Sequence, residues 1–168
     1  RLKTVVLPCE DGKRVTVEQI AAALEKNPEI SGVTVTFNET STGIRNDIEA
    51  IGKFLKDKGK IFITDGVSGI GALPFKMDEW HVDVAVSASQ KGFLAPPGVG
   101  MVALSEKAWA KVEQVKCHGY YFDLKIYKKD QEGAIPAYPW TPAINVMFSL
   151  LEALRKIDRI GIENCFKH

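Results

Sequence analysis

The 168-residue chain is long enough for one domain with a sizeable core, and its 45% hydrophobic and 26% charged residues are those of an ordinary globular protein. Lys plus Arg number 22 against 21 for Asp plus Glu, a net charge of +1, which leaves no electrostatic footprint for a nucleic-acid or membrane-surface partner. No apolar run approaches the ~20 residues of a membrane span, and Cys9, Cys117 and Cys165 are too few and too scattered for a disulfide framework or a zinc site, which points to a reducing, cytoplasmic setting.

The chain opens Arg1-Leu2-Lys3-Thr4-Val5-Val6-Leu7. This reads as a strand stopped at Pro8 and, with no initiating Met and no signal peptide, as a piece cut from something longer. Thr16 with Gln19 forms a capping box, and Val17, Ile20 and Leu24 give the helix behind it one apolar stripe, ended by Asn27-Pro28. Val33–Phe37 is a predicted strand. Ile44, Ile48, Ile51 and Leu55 recur at helical spacing, with Gly59 as the C-terminal stop. Lys60–Thr64, Val82–Val86 and Val99–Leu104 read as further strands, and a helix follows from about Glu106 to Val115. After an irregular stretch, Thr141 is expected to cap a helix with Pro142 in its first turn. Ile144, Met147, Leu151, Leu154 and Ile157 form its apolar face, and Ile162 to His168 looks like an interrupted helix. Strands alternating with helices predict a single α/β domain, three-layer α/β/α, around a mostly parallel sheet.

Ligands of such sheets bind beyond the carboxyl ends of the strands. Three strand ends carry chemistry: Asn38-Glu39-Thr40-Ser41-Thr42-Gly43, Asp65-Gly66-Val67-Ser68-Gly69 and Ser87-Ala88-Ser89-Gln90-Lys91-Gly92. An isolated lysine is ordinarily a solvated surface charge. Lys91, however, follows an apolar strand and sits in a loop stiffened by Pro96-Pro97-Gly98. An amine desolvated at such a place loses its proton more easily and attacks an aldehyde. Asp65 is either a turn aspartate, as Asp-Gly commonly is, or a carboxylate aimed at a ligand on the same sheet edge as Lys91. At least one hydroxyl among Thr40, Ser41 and Thr42 is expected to cap the helix starting near Ile44, a role compatible with a ligand contact. Gly66, Gly69 and Gly71 do not spell a dinucleotide fingerprint. His81 reads as a turn residue, and Trp80, Trp109 and Trp140 as packing residues.

The order and spacing of these three blocks, with Gln90-Lys91 ahead of Pro96-Pro97-Gly98 and Asp65 one strand earlier, resemble class V aminotransferases. These are the serine/alanine–glyoxylate and serine–pyruvate group of fold-type I pyridoxal-phosphate enzymes, and the resemblance runs over essentially the whole chain. It implies transamination between a small amino acid and a 2-oxo acid, with pyridoxal 5'-phosphate as cofactor. Lys91 would be the Schiff-base (internal aldimine) lysine and the proton shuttle, and Asp65 the partner of the pyridine nitrogen. Val67 would pack on the ring, Thr40 would bond near its phenolic oxygen, and Gln90 would contact the phosphate. Tyr138 and Thr141 would reach the phosphate of a neighbouring subunit's cofactor, which implies a homodimer with shared active sites.

The resemblance also implies what these residues lack. The family's phosphate loop and ring-stacking aromatic would lie upstream of Arg1. The arginine gripping the substrate carboxylate would lie in a C-terminal small domain beyond His168. Residues 1–168 are therefore expected to be the central part of the large domain, inactive alone. Phe37 stands where the family often has His. Two other readings stay open. One is a cysteine desulfurase or lyase of the same fold, disfavoured because those relatives usually carry His where Gln90 stands. The other is a truncated, non-catalytic module.

Overall fold

The computed structural model describes residues 2–167. The strand expected at the start does not form: residues 2–7 have no regular structure, and Leu2 and Val6 are 97% and 79% exposed. A β-rich run becomes a strand only beside a partner that takes its backbone hydrogen bonds, and among the described residues no strand runs alongside it. Helix α1, Val17–Lys26, starts at the anticipated capping box: the Gln19 amide donates to Thr16 Oγ1 at 3.3 Å and the Thr16 amide to Gln19 Oε1 at 2.9 Å.

Four strands follow: β1 Gly32–Thr36, β2 Ile61–Asp65, β3 Val84–Ala88 and β4 Gly100–Leu104, lying in that order. β1 and β2 pair in parallel, with Val33 opposite Phe62, as do β2 and β3, with Thr64 opposite Ala85. β4 runs antiparallel to β3. Ser89 to Val99 contains no helix, and a parallel return would need a crossover of about a dozen residues, usually helical. The result is a mixed α/β sheet with flanking helices, two of its three pairings parallel.

Helix α2 spans Ile48–Leu55 and starts four residues later than its apolar spacing suggested. Residues 37–46 instead fold into a small hairpin, closed by the Glu39 amide to the Ile44 carbonyl and the Asn46 amide to the Phe37 carbonyl. Asn46 fixes that hairpin, donating from Nδ2 to the Thr36 carbonyl at 2.8 Å while its Oδ1 accepts the Val15 amide at 2.9 Å. The cap of α2 is Asp47, which accepts the Ala50 amide, so none of Thr40, Ser41 or Thr42 caps a helix.

The core lies between α1, α2 and one face of the sheet: Ile20, Ile48, Ile51 and Leu55 pack with Phe62, Val82 and Ala85. Phe37, Phe75 and Trp80 extend it as an aromatic cluster with centroids 5.3–6.1 Å apart, within the range of favourable edge contacts. Phe37 is therefore a core residue, 1% exposed. Buried Asp83 ties strands to helix: it accepts the Phe62 amide at 2.9 Å, the Ser105 hydroxyl at 2.9 Å and Lys107 Nζ at 2.8 Å.

Helix α3, Glu106–Gln114, is capped by Ser105. Helix α4, Leu124–Gln131, falls in the stretch read as irregular. Its sequence Leu-Lys-Ile-Tyr-Lys-Lys-Asp-Gln has little apolar periodicity, and tertiary contacts hold it: Lys128 lies over Trp109, and Tyr127 meets Trp140 edge-on. Helix α5, Ile144–Ile160, begins at Ala143 with no side-chain cap, so Thr141 is not its N-cap. The anticipated apolar face of α5 is present but largely uncovered, with Phe148, Leu151 and Leu154 all exposed. Gly161, at φ 84°, breaks the chain direction before the short α6, Ile162–Cys165.

Candidate active site

The carboxyl ends of β1, β2 and β3 carry the three loops singled out above. Asp65, the last residue of β2, is locked on both sides: it lies opposite Thr36 of β1 and Val86 of β3, and its carbonyl accepts the Phe37 amide at 2.7 Å. Its carboxylate makes the turn expected of Asp-Gly, with Oδ1 accepting the Val67 amide at 3.0 Å. Oδ2 has no hydrogen-bond partner among the described residues. Thr40 sits at the tip of the 37–46 hairpin, where its hydroxyl meets that of Ser68 at 2.5 Å. Glu39 braces the same tip, accepting the Ser41 amide at 3.1 Å and its hydroxyl at 2.9 Å. Those hydrogen bonds, the amide first, hold the Glu39 carboxyl below its ordinary range.

These loops enclose a cavity of about 240 Å³ lined by Thr40, Asp65, Val67 and Lys91, together with Thr36, Asn38, Glu39 and Ser68. Four of the seven residues nominated from the sequence thus share one pocket. Gln90, Tyr138 and Thr141 do not line it, and all three are exposed. Nor does the desolvation expected of Lys91 arise within this chain, because its side chain is exposed at the pocket mouth. Ser68 had not been singled out. Its signal was its place in the Asp65–Gly69 turn, but only the fold shows that it meets Thr40. A larger, shallow groove of about 610 Å³ lies between Leu94, Pro96 and α5. It holds none of these residues, whereas the smaller pocket gathers an amine, two carboxylates and three hydroxyls at strand ends, where α/β sheets place ligands.

Lys91 and Asp65 line one pocket at the carboxyl edge of a mixed α/β sheet with flanking helices, and solved structures of fold-type I aminotransferases share this fold, of which the chain covers part. Comparison with known proteins specifies the group. The aminotransferase class-V family model matches residues 1–168. The chain is 39% identical over 166 residues to an uncharacterized aminotransferase of Methanocaldococcus jannaschii, covering 98% of this chain and 43% of that protein. It is 38% identical over 174 residues to a serine–glyoxylate aminotransferase of Methylorubrum extorquens, with the same coverage of 98% and 43%. A solved alanine–glyoxylate aminotransferase from Nostoc sp. superposes with a TM-score of 0.85 at 31% identity, over 93% of this chain and 41% of that one. The chain belongs to the class V aminotransferase family and spans about two fifths of the length of these relatives.

Proposed function

We propose that the chain is the central part of the cofactor-binding large domain of a pyridoxal-phosphate-dependent aminotransferase. It would move an amino group between a small amino acid of the serine or alanine type and a 2-oxo acid of the glyoxylate or pyruvate type. The observation that carries this reading is the convergence of Lys91, Asp65, Thr40 and Val67 on one strand-end pocket in a chain of this family. The pocket suits the ring half of the cofactor, offering a carboxylate, a hydroxyl and an amine. Lys91 is the one cation lining it among the described residues, so the phosphate calls for further groups.

When bound, pyridoxal phosphate supplies an aldehyde that takes up the amino group and a ring that accepts the electron pair released at the substrate α-carbon. Lys91 would hold the aldehyde group of the cofactor and would carry the proton to and from the substrate α-carbon. Asp65 keeps a proton on the ring nitrogen through Oδ2, while Oδ1 stays committed to the Val67 amide. Val67 lines the same pocket and would pack on the ring. Thr40 donates to the ring oxygen, and its hydrogen bond to Ser68 fixes the direction of the hydroxyl.

Gln90, exposed beside Lys91, reaches for the phosphate, and Tyr138 and Thr141 do so from a second copy. In support, neither Tyr138 nor Thr141 serves its own chain's pocket. They flank Trp140, which stacks on Tyr121 with centroids 4.7 Å apart beside the exposed Tyr120 and Phe122. Exposed aromatics gathered in this way mark an association surface. A reducing, cytoplasmic compartment is proposed from the three scattered cysteines of the sequence, Cys9, Cys117 and Cys165. No helix among the described residues is long and apolar enough to cross a membrane.

The test is covalent trapping. The protein is incubated with pyridoxal phosphate, reduced with borohydride and mapped by peptide mass spectrometry. The label is expected on the Lys91 peptide; label on other lysines with Lys91 unmodified rejects the assignment.

A further inference from the structure

We infer that Ser89 is a positioning residue for Lys91, the clamp that closes the loop on which the lysine stands; this rests on the cofactor reading above. Lys91 forms no ion pair among the described residues, and its side chain is exposed, so side-chain packing within the chain does not aim it. Its direction is set by the backbone of residues 90–98, and that backbone converges on Ser89. The Ser89 hydroxyl donates to the Pro96 carbonyl at 2.7 Å and accepts the Val99 amide at 3.3 Å. The Ser89 amide donates to the Val99 carbonyl at 3.0 Å, and its own carbonyl accepts the Ala95 amide at 3.0 Å. Every polar group of this fully buried residue (0% exposed) is thus spent on closing one loop.

The loop so closed is under tension. Leu94 is held at φ 58°, the left-handed region that a leucine avoids, while 75% of its surface faces solvent. No burial of that side chain explains the conformation; it persists because the loop ends are fixed. The Leu94 amide in turn donates to the Lys91 carbonyl at 2.9 Å, which carries the constraint to the lysine itself. Two residues upstream stands a natural control. Ser87 is also buried, but its hydroxyl has no hydrogen-bond partner among the described residues. Removing either hydroxyl changes the same few atoms, yet only at Ser89 does it break a clamp.

The experiment compares wild type with Ser87→Ala, Ser89→Ala and Ser89→Thr by two readouts. The first is amide hydrogen exchange at Ala95 and Val99. The second is the share of borohydride-fixed pyridoxal phosphate on Lys91 relative to all other lysines. Wild type and Ser87→Ala are expected to protect both amides and to concentrate label on Lys91. Ser89→Ala is expected to exchange at Val99 at least about tenfold faster, because both the Pro96 carbonyl and the Val99 amide lose their partner. Its preference for Lys91 falls with it, while exchange in α2 stays as in wild type. Ser89→Thr, which keeps the hydroxyl, recovers both readouts.

Ser89→Ala with unchanged protection and unchanged Lys91 preference overturns the clamp, as does a loss of protection spread evenly over the whole chain. Absence of Lys91 labelling in wild type defeats the cofactor reading and this inference with it. Should Ser89→Ala not fold, Ser89→Cys, which keeps a weak donor in place, is read instead. A partial loss of both readouts then supports the clamp, and wild-type behaviour overturns it.

Discussion

Asp65 shows how one side chain meets two demands that the sequence presents as alternatives. Oδ1 makes the turn and Oδ2 has no partner among the described residues, so the turn leaves one carboxylate oxygen for the proposed ligand role. A second constraint on the site is a contact between glycines. A methyl group on Gly92 would stand 2.5 Å from the Ile70 carbonyl oxygen, 2.6 Å from the Ala72 nitrogen and 2.8 Å from the Gly71 carbonyl carbon. The loop bearing Lys91 therefore rests directly on the loop that follows Asp65, and the absence of a Cβ sets their separation. Gly92→Ala would gain about 0.4–1 kcal/mol from a less flexible unfolded chain, but forcing backbone apart costs about 1–3 kcal/mol. Net destabilisation is expected in urea unfolding, together with slower trapping at Lys91; a more stable variant with unchanged trapping would show that the loops do not touch. Lys91, Asp65 and the hydroxyls at Thr40–Thr42 stood out at strand ends in the sequence, and Val67 only through the family resemblance. The hydroxyl pair of Thr40 and Ser68 did not stand out, because those residues stand 28 positions apart.

Helix α2 sets local preference against packing. Gly52, in its interior, would gain about 1 kcal/mol of helix propensity on becoming Ala. Its added methyl would run into the Trp80 carbonyl, a backbone atom that cannot rotate away. Packing is expected to win, with Gly52→Ala losing at least about 2 kcal/mol in chemical denaturation while the exposed Lys53→Ala stays near wild type. Gly52→Ala as a stabilising change would contradict the close approach of α2 to the Trp80 turn. The elements read correctly are those whose signal is local: the capping box of α1, the spacing of Ile48, Ile51 and Leu55, and the β-branched runs of β1 and β2. The misread ones depend on neighbours. Residues 2–7 have strand composition without a partner strand, and α4 has a partner in Trp140 without helical periodicity.

For the chain as a whole, the pocket holds the groups proposed to work on a cofactor ring, and no arginine among the described residues lines it. None of Arg14, Arg45, Arg155 and Arg159 lines it, and Arg45 lies instead over the Phe37 ring at 5.7 Å. A substrate carboxylate is best gripped by a bidentate arginine, and orientation of reactants accounts for about 7–11 kcal/mol of a barrier. These 168 residues by themselves are therefore expected to show no measurable half-reaction with serine or alanine after loading with pyridoxal phosphate, followed by absorbance. Robust conversion would place the substrate grip within this chain.

The sequence by itself determined the α/β class, the family resemblance and the chemistry of the three strand ends, because apolar periodicity, capping and short motifs are local properties. Tertiary structure alone decided that β4 turns back antiparallel, that Thr40–Gly43 is a hairpin tip and not a helix cap, and that Thr141 caps nothing. It alone showed that the hydroxyl of buried Ser89 is hydrogen-bonded to Pro96 and Val99 beyond the lysine loop. Each of these depends on which polar groups find partners outside their own helix or strand, which local periodicity and capping signals do not specify.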